Sequence, residues 1–251
     1  MSSWLEGRVV ARRGWTETLV SLTVDAPALT FQAGQFARLA LPAPAGSPEP
    51  MVGRPYSFVN PPEAPQHEFL FVVVPGGPLS PRLAALDAGD AIWLGPRANG
   101  FFCVSEVPEA GTLWCLSTGT GLGPFLSILR TADPWSRFGR VVLVHAVRVA
   151  AELVYRDAID GVLRDRAGAF TYVPVVSRET HAGALSGRIP ALIADGRLAA
   201  AAGTTLDPAR SRVMVCGNPA MTRELRELLG DRGFRTSRRA APGQAAFEKY
   251  W

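Results

Sequence analysis

The chain has 251 residues, which is enough for two domains of about 100 to 150 residues each. Hydrophobic residues make up 47% of it and charged residues 19%, a composition typical of a globular protein rather than a disordered one. No apolar run reaches the roughly 18 residues that a membrane-spanning helix needs. The first six residues lack a signal-peptide pattern, so we predict a cytoplasmic protein that does not associate with a membrane.

The residues that bind metals or act as nucleophiles are sparse. The three histidines share no spacing and have no acidic cluster beside them, so no metal site is predicted. No G-x-S-x-G or comparable nucleophile motif occurs. The three cysteines are too few and too scattered for a disulfide framework or an iron–sulfur cluster held by four thiolates: Cys103, Cys115 and Cys216. Any redox chemistry must therefore come from an organic cofactor.

The positive charge is concentrated near the C-terminus. The net charge is +4 and the isoelectric point is near 9.3. From Arg210 onward the chain carries eight arginines and Lys249 against four acidic residues. This basic C-terminal stretch fits the steering of an acidic partner or a phosphorylated ligand, and it fits a solvated face equally well. Nucleic-acid binding is not predicted, because the arginines are not interleaved with exposed aromatic residues.

The first hundred residues contain short strand patterns separated by clusters of proline and glycine. The segments rich in β-branched or aromatic residues are 8–11, 18–24, 35–41, 56–59, 68–74 and 91–94. Many short strands with frequent turns predict a small antiparallel β-barrel. One helix interrupts the pattern, with Ser80 expected as its N-cap, Pro81 as its first residue and Leu86 near its end.

In the second half, apolar strands alternate with helical segments. Strands are predicted at 113–117, 141–147, 171–176 and 212–216, and helices at 152–165, 188–194, 220–231 and from 124 onward. Continuous valine and leucine runs followed by helices predict an α/β domain with a parallel sheet covered on both faces. The pattern changes near 103–111, so we predict domains at 1–104 and 105–251 that pack directly on each other.

Four consecutive residues of the barrel combine the groups that a flavin nucleotide requires. Arg54 offers a planar cation for a pyrophosphate, Tyr56 an aromatic plate, and Ser57 a hydroxyl that both donates and accepts. Pro55 constrains the backbone between them. An ordinary strand with an exposed arginine and a core tyrosine is the alternative.

A glycine-rich turn follows the first strand of the second half, at residues 117–125. Such a turn lets backbone amides approach a pyrophosphate at a helix N-terminus, and open α/β sheets bind ligands at this edge. The spacing is not the G-x-G-x-x-G of the Rossmann fold. A plain connection from strand to helix is the alternative.

Cations follow the next two strands. Arg148 comes after the second strand, Ser177 and Arg178 come after the third, and Arg188 lies ten residues beyond Arg178. If a nicotinamide dinucleotide crosses this edge, Ser177, Arg178 and Arg188 could hold a 2′-phosphate and select NADPH over NADH. Each arginine taken singly could instead be a surface residue.

The fourth strand and the C-terminus contribute further candidates. Cys216 is either a buried core thiol or a neighbour of the nicotinamide ring, with Asn218 supplying polar contacts. The chain ends in Tyr250 and Trp251, which is unusual because termini tend to be polar. The terminal tryptophan either stacks on a flat ring or packs on the core.

Together these motifs resemble those of the bacterial-type ferredoxin/flavodoxin NADP+ reductases. The resemblance covers essentially the whole chain, including residues 78–83, 175–180 and 187–192. The Arg-x-Tyr-Ser motif alone is shared across the flavoproteins of the superfamily, whereas an aromatic last residue is similar to the bacterial subgroup.

This resemblance implies an FAD-binding barrel followed by an NADP-binding domain. Arg54 would hold the FAD pyrophosphate, Tyr56 would stack on the isoalloxazine ring, and Ser57 would form a hydrogen bond near flavin N5. Other implied cofactor contacts are Pro55, the backbone of Leu70, Phe71, Val72 and Val73, the phosphate-binding Pro78, Leu79 and Ser80, and Thr120, Asn218 and Tyr250. The implied contacts to the adenosine phosphates of NADPH are Arg148, Ser177, Arg178 and Arg188.

The implied catalytic residues are Ser57, Cys216 and Trp251, with Trp251 covering the flavin face that nicotinamide must reach. The implied activity is hydride transfer from NADPH to flavin N5, followed by one-electron release to a ferredoxin or flavodoxin. Such partners are commonly acidic, which agrees with the basic C-terminal stretch, and a monomer is expected. Residues 244–247 match no motif and receive no role.

Two other readings of the function stay open. The protein could be a reductase that serves an oxygenase, a haem protein or free flavin with the same first half-reaction. It could also be a non-catalytic FAD electron-transfer subunit, although Ser177, Arg178 and Arg188 argue against that.

Overall fold

The N-terminal half forms an antiparallel sheet of six strands. The computed structural model describes residues 4–27, 29–238 and 240–250. The strand order is β4-β3-β6-β1-β2-β5, and every pair is antiparallel. The strands are β1 Leu5–Gly14, β2 Leu19–Asp25, β3 Phe36–Pro42, β4 Met51–Ser57, β5 His67–Val72 and β6 Ala91–Leu94.

The two outer strands of this sheet meet, which closes the predicted β-barrel. Phe58, directly after β4, forms an antiparallel bridge with Phe69 of β5. Phe69 and Phe71 are buried in the barrel core, whereas Glu68 and Leu70 alternate with them and point to the opposite face. Helix α1, Ser80–Ala84, buries Leu83 against the same core.

The C-terminal half forms a parallel sheet of six strands. Its order is β10-β9-β8-β7-β11-β12, with every pair parallel. The strands are β7 Ala110–Thr118, β8 Phe138–Val147, β9 Phe170–Val176, β10 Leu185–Ser186, β11 Ser211–Gly217 and β12 Ala245–Lys249. The helices are α2 Leu122–Leu129, α3 Asp133–Arg137, α4 Arg156–Asp165, α5 Ile189–Ala194, α6 Arg197–Ala202 and α7 Pro219–Asp231.

Both faces of the parallel sheet are covered, as predicted. Along β7, Leu113 and Cys115 lie in one apolar core, whereas Trp114 and Leu116 lie in another on the opposite face. All four are fully buried. This two-sided burial explains why the strands appear in the sequence as continuous apolar runs rather than as alternating patterns.

The structure corrects several predicted elements. The β4 strand begins at Met51 rather than at residue 56, and α4 begins at Arg156 rather than at residue 152. Ser80 is not the N-cap of α1, because Leu79 holds that position and Ser80 is the first residue of the helix. Residues 244–247, to which no role was given, lie mostly in β12, which extends the parallel sheet beside β11.

The two halves pack directly on each other, as predicted. Leu19, Val59 and Leu70 of the first half belong to one apolar core with residues of β7 and α2. Ser127 of α2 also donates a hydrogen bond from its buried Oγ to the carbonyl of Asn60, at 2.7 Å. The chain passes from β6 to β7 between residues 94 and 110. Within this connection, the division at residues 104 and 105 stays a prediction.

None of the helices in the described part of the chain is both long and apolar enough to cross a membrane.

Candidate cofactor site

A cavity of about 310 Å³ lies between the barrel and the parallel sheet. The barrel supplies most of its walls, from β4, β5 and the segment before α1. The parallel-sheet half contributes Thr120 and the residues of β12. The cavity is lined by Phe36, Arg54, Pro55, Tyr56, Ser57, Leu70, Phe71, Val72, Val74, Gly77, Pro78, Leu79, Ser80, Thr120, Glu248, Lys249 and Tyr250.

Strand β4 presents the Arg-x-Tyr-Ser motif to this cavity. The Tyr56 ring packs edge-on against Phe71, with 5.5 Å between the ring centroids, and burial raises the pKa of its phenol to about 12. Ser57 is buried at the end of the strand. Arg54 is exposed, and Nη1 of its guanidinium donates to the carbonyl of Gly53 at 2.9 Å. The motif therefore places an aromatic ring and a hydroxyl inside the cavity and a cation at its edge.

The segment that leads into α1 forms another wall. Ser80 Oγ accepts a hydrogen bond from the backbone N–H of Val74 at 2.9 Å, so the side chain fixes a loop rather than capping the helix. Val73 does not line the cavity. Its N–H donates to the carbonyl of Thr18 at 2.7 Å, and its side chain packs against the barrel core.

Two glycines let the parallel sheet approach the cavity closely. A Cβ at Gly121, in the 3-10 turn Gly119–Gly121 that carries Thr120, would clash with the carbonyl of Cys216. A Cβ at Gly217 would clash with the side chain of Thr118, and its φ of +141° suits glycine. The turn after β7 and the end of β11 therefore pack against each other without side chains between them.

The C-terminal strand joins the two halves at the cavity. Tyr250 Oη donates to Ser57 Oγ at 2.6 Å, and the backbone N–H of Tyr250 donates to the carbonyl of Gly217 at 3.0 Å. Burial is the main cause that raises the pKa of the Tyr250 phenol well above its usual value. The phenol therefore keeps its proton and acts as the donor in this bond. Ser57 retains its own proton for another acceptor.

A half-buried carboxyl group lies beside this pair. Glu248 lines the cavity, and Cys216 Sγ lies 4.0 Å from its Oε2 as a weak donor. Burial raises the pKa of Glu248 from 4.5 to about 7. Burial, and secondarily Glu248, raise the pKa of the Cys216 thiol well above its usual range, so this cysteine is a neutral thiol. Cys216 is fully buried in the core behind the cavity and does not line it.

The cavity suits the flavin part of FAD. Leu70, Phe71, Val72 and Leu79 give it an apolar lining, and the Tyr56 ring offers a flat surface for a heterocycle. A phosphate group requires a cation that is not already paired with a carboxylate. Arg54 fulfils this condition, since its one hydrogen bond within the described residues is to a neighbouring carbonyl.

The residues predicted to hold the NADPH phosphates lie at the ends of adjacent parallel strands. Val147 of β8 and Val176 of β9 are paired in register, so Arg148 and Arg178 follow neighbouring strand ends, and Arg178 N donates to the Arg148 carbonyl at 2.9 Å. Ser177 Oγ donates to the carbonyl of Val147 at 3.1 Å. Arg148, Arg178 and Arg188 are exposed, and no carboxylate of the described residues lies within 4.0 Å of their guanidinium groups. The carboxylate of Glu152 accepts from the backbone N–H of Arg148 at 2.9 Å.

The predicted roles of two further residues, Asn218 and Trp251, stay predictions. Asn218 is exposed, and its Oδ1 accepts from the N–H groups of Ala220 and Met221, so its side chain caps α7. Its role toward nicotinamide stays a prediction. Trp251 lies outside the described residues, and its predicted place over the flavin stays a prediction as well.

Sequence reasoning missed five residues that line the cavity: Phe36, Val74, Gly77, Glu248 and Lys249. Phe36 pairs in register with Ser57 across β3 and β4, so the pairing of these two strands, which the sequence does not reveal, would have indicated it. Glu248 and Lys249 lie in β12, for which the sequence gives no strand pattern.

Comparison with known proteins places these features in context. Residues 115–227 match the family described as oxidoreductase NAD-binding domain. The chain is 48% identical over 224 residues to the flavodoxin/ferredoxin–NADP reductase of Shigella flexneri, which covers 89% of each chain. It is 47% identical, with the same coverage, to the flavodoxin/ferredoxin–NADP reductase of Escherichia coli strain K12.

The fold is also similar to a solved structure along its whole length. A ferredoxin NADP+ reductase from Neisseria gonorrhoeae, crystallised with bound FAD and NADP, is 32% identical to the chain with a TM-score of 0.92. The similarity covers 100% of both chains.

Proposed function

The chain belongs to the flavodoxin/ferredoxin–NADP reductase family, and from this membership we propose that it transfers electrons between NADPH and a ferredoxin or flavodoxin through bound FAD. It is an oxidoreductase, and its cofactors are FAD and NADP(H). The ferredoxin or flavodoxin partner is inferred from the names of the relatives.

One observation carries this proposal: the flavin-binding motif and the parallel-sheet domain meet at a single cavity. Ser57 ends the barrel strand that carries Arg54 and Tyr56, and it accepts a hydrogen bond from Tyr250, which follows the last parallel strand. Thr120, from the turn after β7, lines the same cavity. A flavin held by the barrel and a nicotinamide held by the sheet would therefore meet here.

We assign the flavin-side roles to the barrel residues. When bound, FAD accepts two electrons as a hydride and releases them one at a time. Arg54 binds the pyrophosphate as a charged donor, and Tyr56 orients the ring by stacking. Ser57 donates a hydrogen bond to the ring, because Tyr250 already occupies one of its acceptor positions.

We assign the binding of NADPH to residues of the parallel sheet. Arg148, Arg178 and Arg188 offer exposed guanidinium groups at one edge of the sheet, where they bind the adenosine phosphates. Ser177 assists them, after its hydroxyl exchanges its present bond to the Val147 carbonyl. The glycines Gly121 and Gly217 let the turn after β7 pack directly on the end of β11, so no side chain at either position projects over the strand ends.

We further propose that the protein acts as a monomer, with the FAD-binding domain at 1–104 and the NADP-binding domain at 105–251. Cys216 acts behind the reaction site rather than in direct contact with it, because it is fully buried and its thiol stays neutral.

Rapid mixing of the FAD-loaded protein with NADPH tests the proposal. The flavin absorbance band should bleach quickly, and reoxidation should follow when a ferredoxin or flavodoxin is added. A protein that binds FAD but is not bleached by NADPH would be a binding subunit instead. If NADPH bleaches the flavin but the protein passes electrons only to an oxygenase component or a haem protein, the assignment of ferredoxin or flavodoxin as its acceptor is wrong.

A further inference from the structure

One contact between the two halves involves a strained backbone. Tyr155, which directly precedes α4, has φ +58° and ψ +29°, and among the described residues it is the one non-glycine residue with a positive φ. A left-handed conformation costs free energy for a residue with a Cβ, and it persists where the surrounding structure requires it. The sequence gives no turn signal here, because no glycine or asparagine occupies the position. The reason for the conformation must therefore be sought in what the side chain contacts.

The side chain of Tyr155 leaves its own domain and contacts the barrel. Its Oη donates to Glu68 Oε1 on β5 at 2.6 Å, and its ring packs against Trp15, with 4.6 Å between the centroids. Tyr155 is buried, and burial together with Glu68 raises the pKa of its phenol, so it remains a donor. Arg130 Nη1 lies 4.0 Å from the other Glu68 oxygen. A hydrogen bond to a carboxylate is stronger than one between neutral groups.

The acceptor strand is the one that lines the flavin cavity. Glu68, Leu70 and Val72 are every second residue of β5 and point to the same face. Leu70 and Val72 are part of the cavity wall. The backbone N–H of Glu68 also donates to Asn60 Oδ1 at 2.7 Å, and the Asn60 carbonyl accepts from Ser127 of α2. Two bonds from the parallel-sheet half thus reach neighbouring parts of the barrel: Tyr155 bonds to Glu68 of β5, and Ser127 bonds to Asn60 in the connection that precedes β5. They reach the barrel beside the Arg-x-Tyr-Ser strand, but outside the cavity itself.

We propose that Tyr155 is a positioning residue for hydride transfer: through Glu68 it fixes the orientation of the nicotinamide-binding domain relative to the flavin-binding barrel. The inference rests on the proposed function, because it assumes that the two cofactors react across the cavity between the halves. A small rotation about this interface would change the distance between the reacting groups while leaving the barrel walls of the cavity and the exposed arginines of the sheet edge as they are. Misplacement by about 1 Å can slow a reaction on the order of a hundredfold. In the left-handed conformation of Tyr155 the phenol reaches β5, and this contact accounts for the retained strain.

Tyr155→Phe in the FAD-loaded protein tests the proposal, because it keeps the ring against Trp15 and removes only the hydroxyl. Rapid mixing with saturating NADPH should show a limiting bleaching rate that is lower by roughly tenfold. The dissociation constant for NADPH should change by less than about twofold, since the phosphate site is untouched. Transfer from chemically reduced flavin to a small dye should be unchanged. A residue that merely stabilises the fold would lower the melting temperature and leave the limiting rate as it was.

Tyr172→Phe is the matched control. It removes a phenol hydroxyl from the same domain, where Tyr172 Oη lies 3.3 Å from Nδ1 of His145, a residue of β8. The limiting rate of this variant should equal that of the wild type. An equal loss in both variants would overturn the proposal, because it would show that the domain is generally sensitive to such changes.

Variants at Glu68 complete the test and leave the strained residue unaltered. Glu68→Ala should slow the limiting rate as much as Tyr155→Phe, and the double variant should be no slower than the slower single variant. Glu68→Gln retains an acceptor oxygen and should recover part of the rate. If the wild type itself is not bleached by NADPH, the proposed function fails. If the wild type is bleached and Tyr155→Phe shows the same limiting rate, only the positioning role is overturned.

Discussion

Tyr250 donates its phenolic proton to Ser57 Oγ at 2.6 Å, which links the last parallel strand to the barrel strand that carries the flavin motif. The bond fixes the direction in which the Ser57 proton points, because the serine oxygen accepts on one side and donates on the other. A serine without this partner could rotate among its rotamers. The two hydroxyls should therefore act as a unit.

Ser57→Ala is expected to slow the bleaching of the flavin by NADPH about tenfold, the loss that corresponds to one hydrogen bond of ~1.4 kcal/mol. Tyr250→Phe should have a smaller effect, because it removes the bond that orients the Ser57 hydroxyl but keeps that hydroxyl. The double variant should be as slow as Ser57→Ala alone. Stopped-flow absorbance measures all three rates, and additive losses would show that the two hydroxyls act independently.

The 2′-phosphate assignment predicts a selective loss of NADPH affinity. Arg178→Ala or Arg188→Ala removes a charged donor and should weaken NADPH binding by about 1.5 to 3 kcal/mol. NADH, which lacks the phosphate, should bind almost as before. Titration of each variant with both nucleotides gives the comparison, and Arg164→Ala, an exposed arginine of α4, is the control. Equal losses with both nucleotides would refute the assignment.

The sequence predicted most of the fold because its strands carry local patterns. The β6 strand was found with its observed limits, Ala91–Leu94, and the apolar runs of β7, β8, β9 and β11 were each located. These segments combine apolar side chains with turn residues at their ends, so neighbouring residues alone determine them. The motif Arg54–Ser57 likewise lies within a single strand.

The errors arose where distant contacts decide the local structure. Ser80 before a helical pattern is typical of an N-cap, yet its Oγ accepts from Val74 N. The predicted helix from residue 152 begins four residues later, because Tyr155 is left-handed and bonds to Glu68 on the barrel. Glu248 lies in the site because β12 pairs with β11. None of these contacts has a signal among adjacent residues.

Electron transfer to a protein partner should depend on salt if the basic C-terminal stretch steers an acidic partner. Raising the salt concentration from about 20 mM to about 500 mM should slow the reduction of ferredoxin or flavodoxin severalfold. The reduction of a small uncharged dye should change little, because it needs no charged surface. Steady-state assays with both acceptors provide the test. Equal sensitivity of the two reactions would count against docking through charge.

The half-buried carboxyl group of Glu248 predicts how stability depends on pH. Its pKa is about 7 in the folded protein, compared with 4.5 for an ordinary glutamate. Between these values the folded state keeps a proton that the unfolded chain releases, so the free energy of unfolding falls as the pH rises. Glu248→Gln cannot lose a proton and should be more stable than the wild type at about pH 8, by up to about 3 kcal/mol.

Urea unfolding of the FAD-loaded protein at several pH values measures this effect. The difference between Glu248→Gln and the wild type should disappear below about pH 4.5, where both side chains are neutral. Glu227→Gln, at an exposed position of α7, should leave the pH dependence unchanged. An equal response in the two variants would show that burial of Glu248 is not the cause.

The close approach of β11 to the turn after β7 predicts a large effect at Gly217. Gly217→Ala forces a Cβ into the side chain of Thr118 and a φ of +141° on a residue that disfavours it. The clash also disturbs the Thr118 hydroxyl that accepts from Asn218 N at 2.9 Å. We expect a loss of about 3 kcal/mol or more in the free energy of unfolding, together with weaker FAD binding, since the Gly217 carbonyl holds the Tyr250 backbone.

Gly168→Ala separates the two causes, because Gly168 has a φ of +83° but open space around it. That variant should lose only about 1 to 2 kcal/mol, the penalty of the backbone conformation alone, and should bind FAD normally. Thermal unfolding and FAD titration measure both quantities. Similar losses in the two variants would show that the contact with Thr118 does not limit this position.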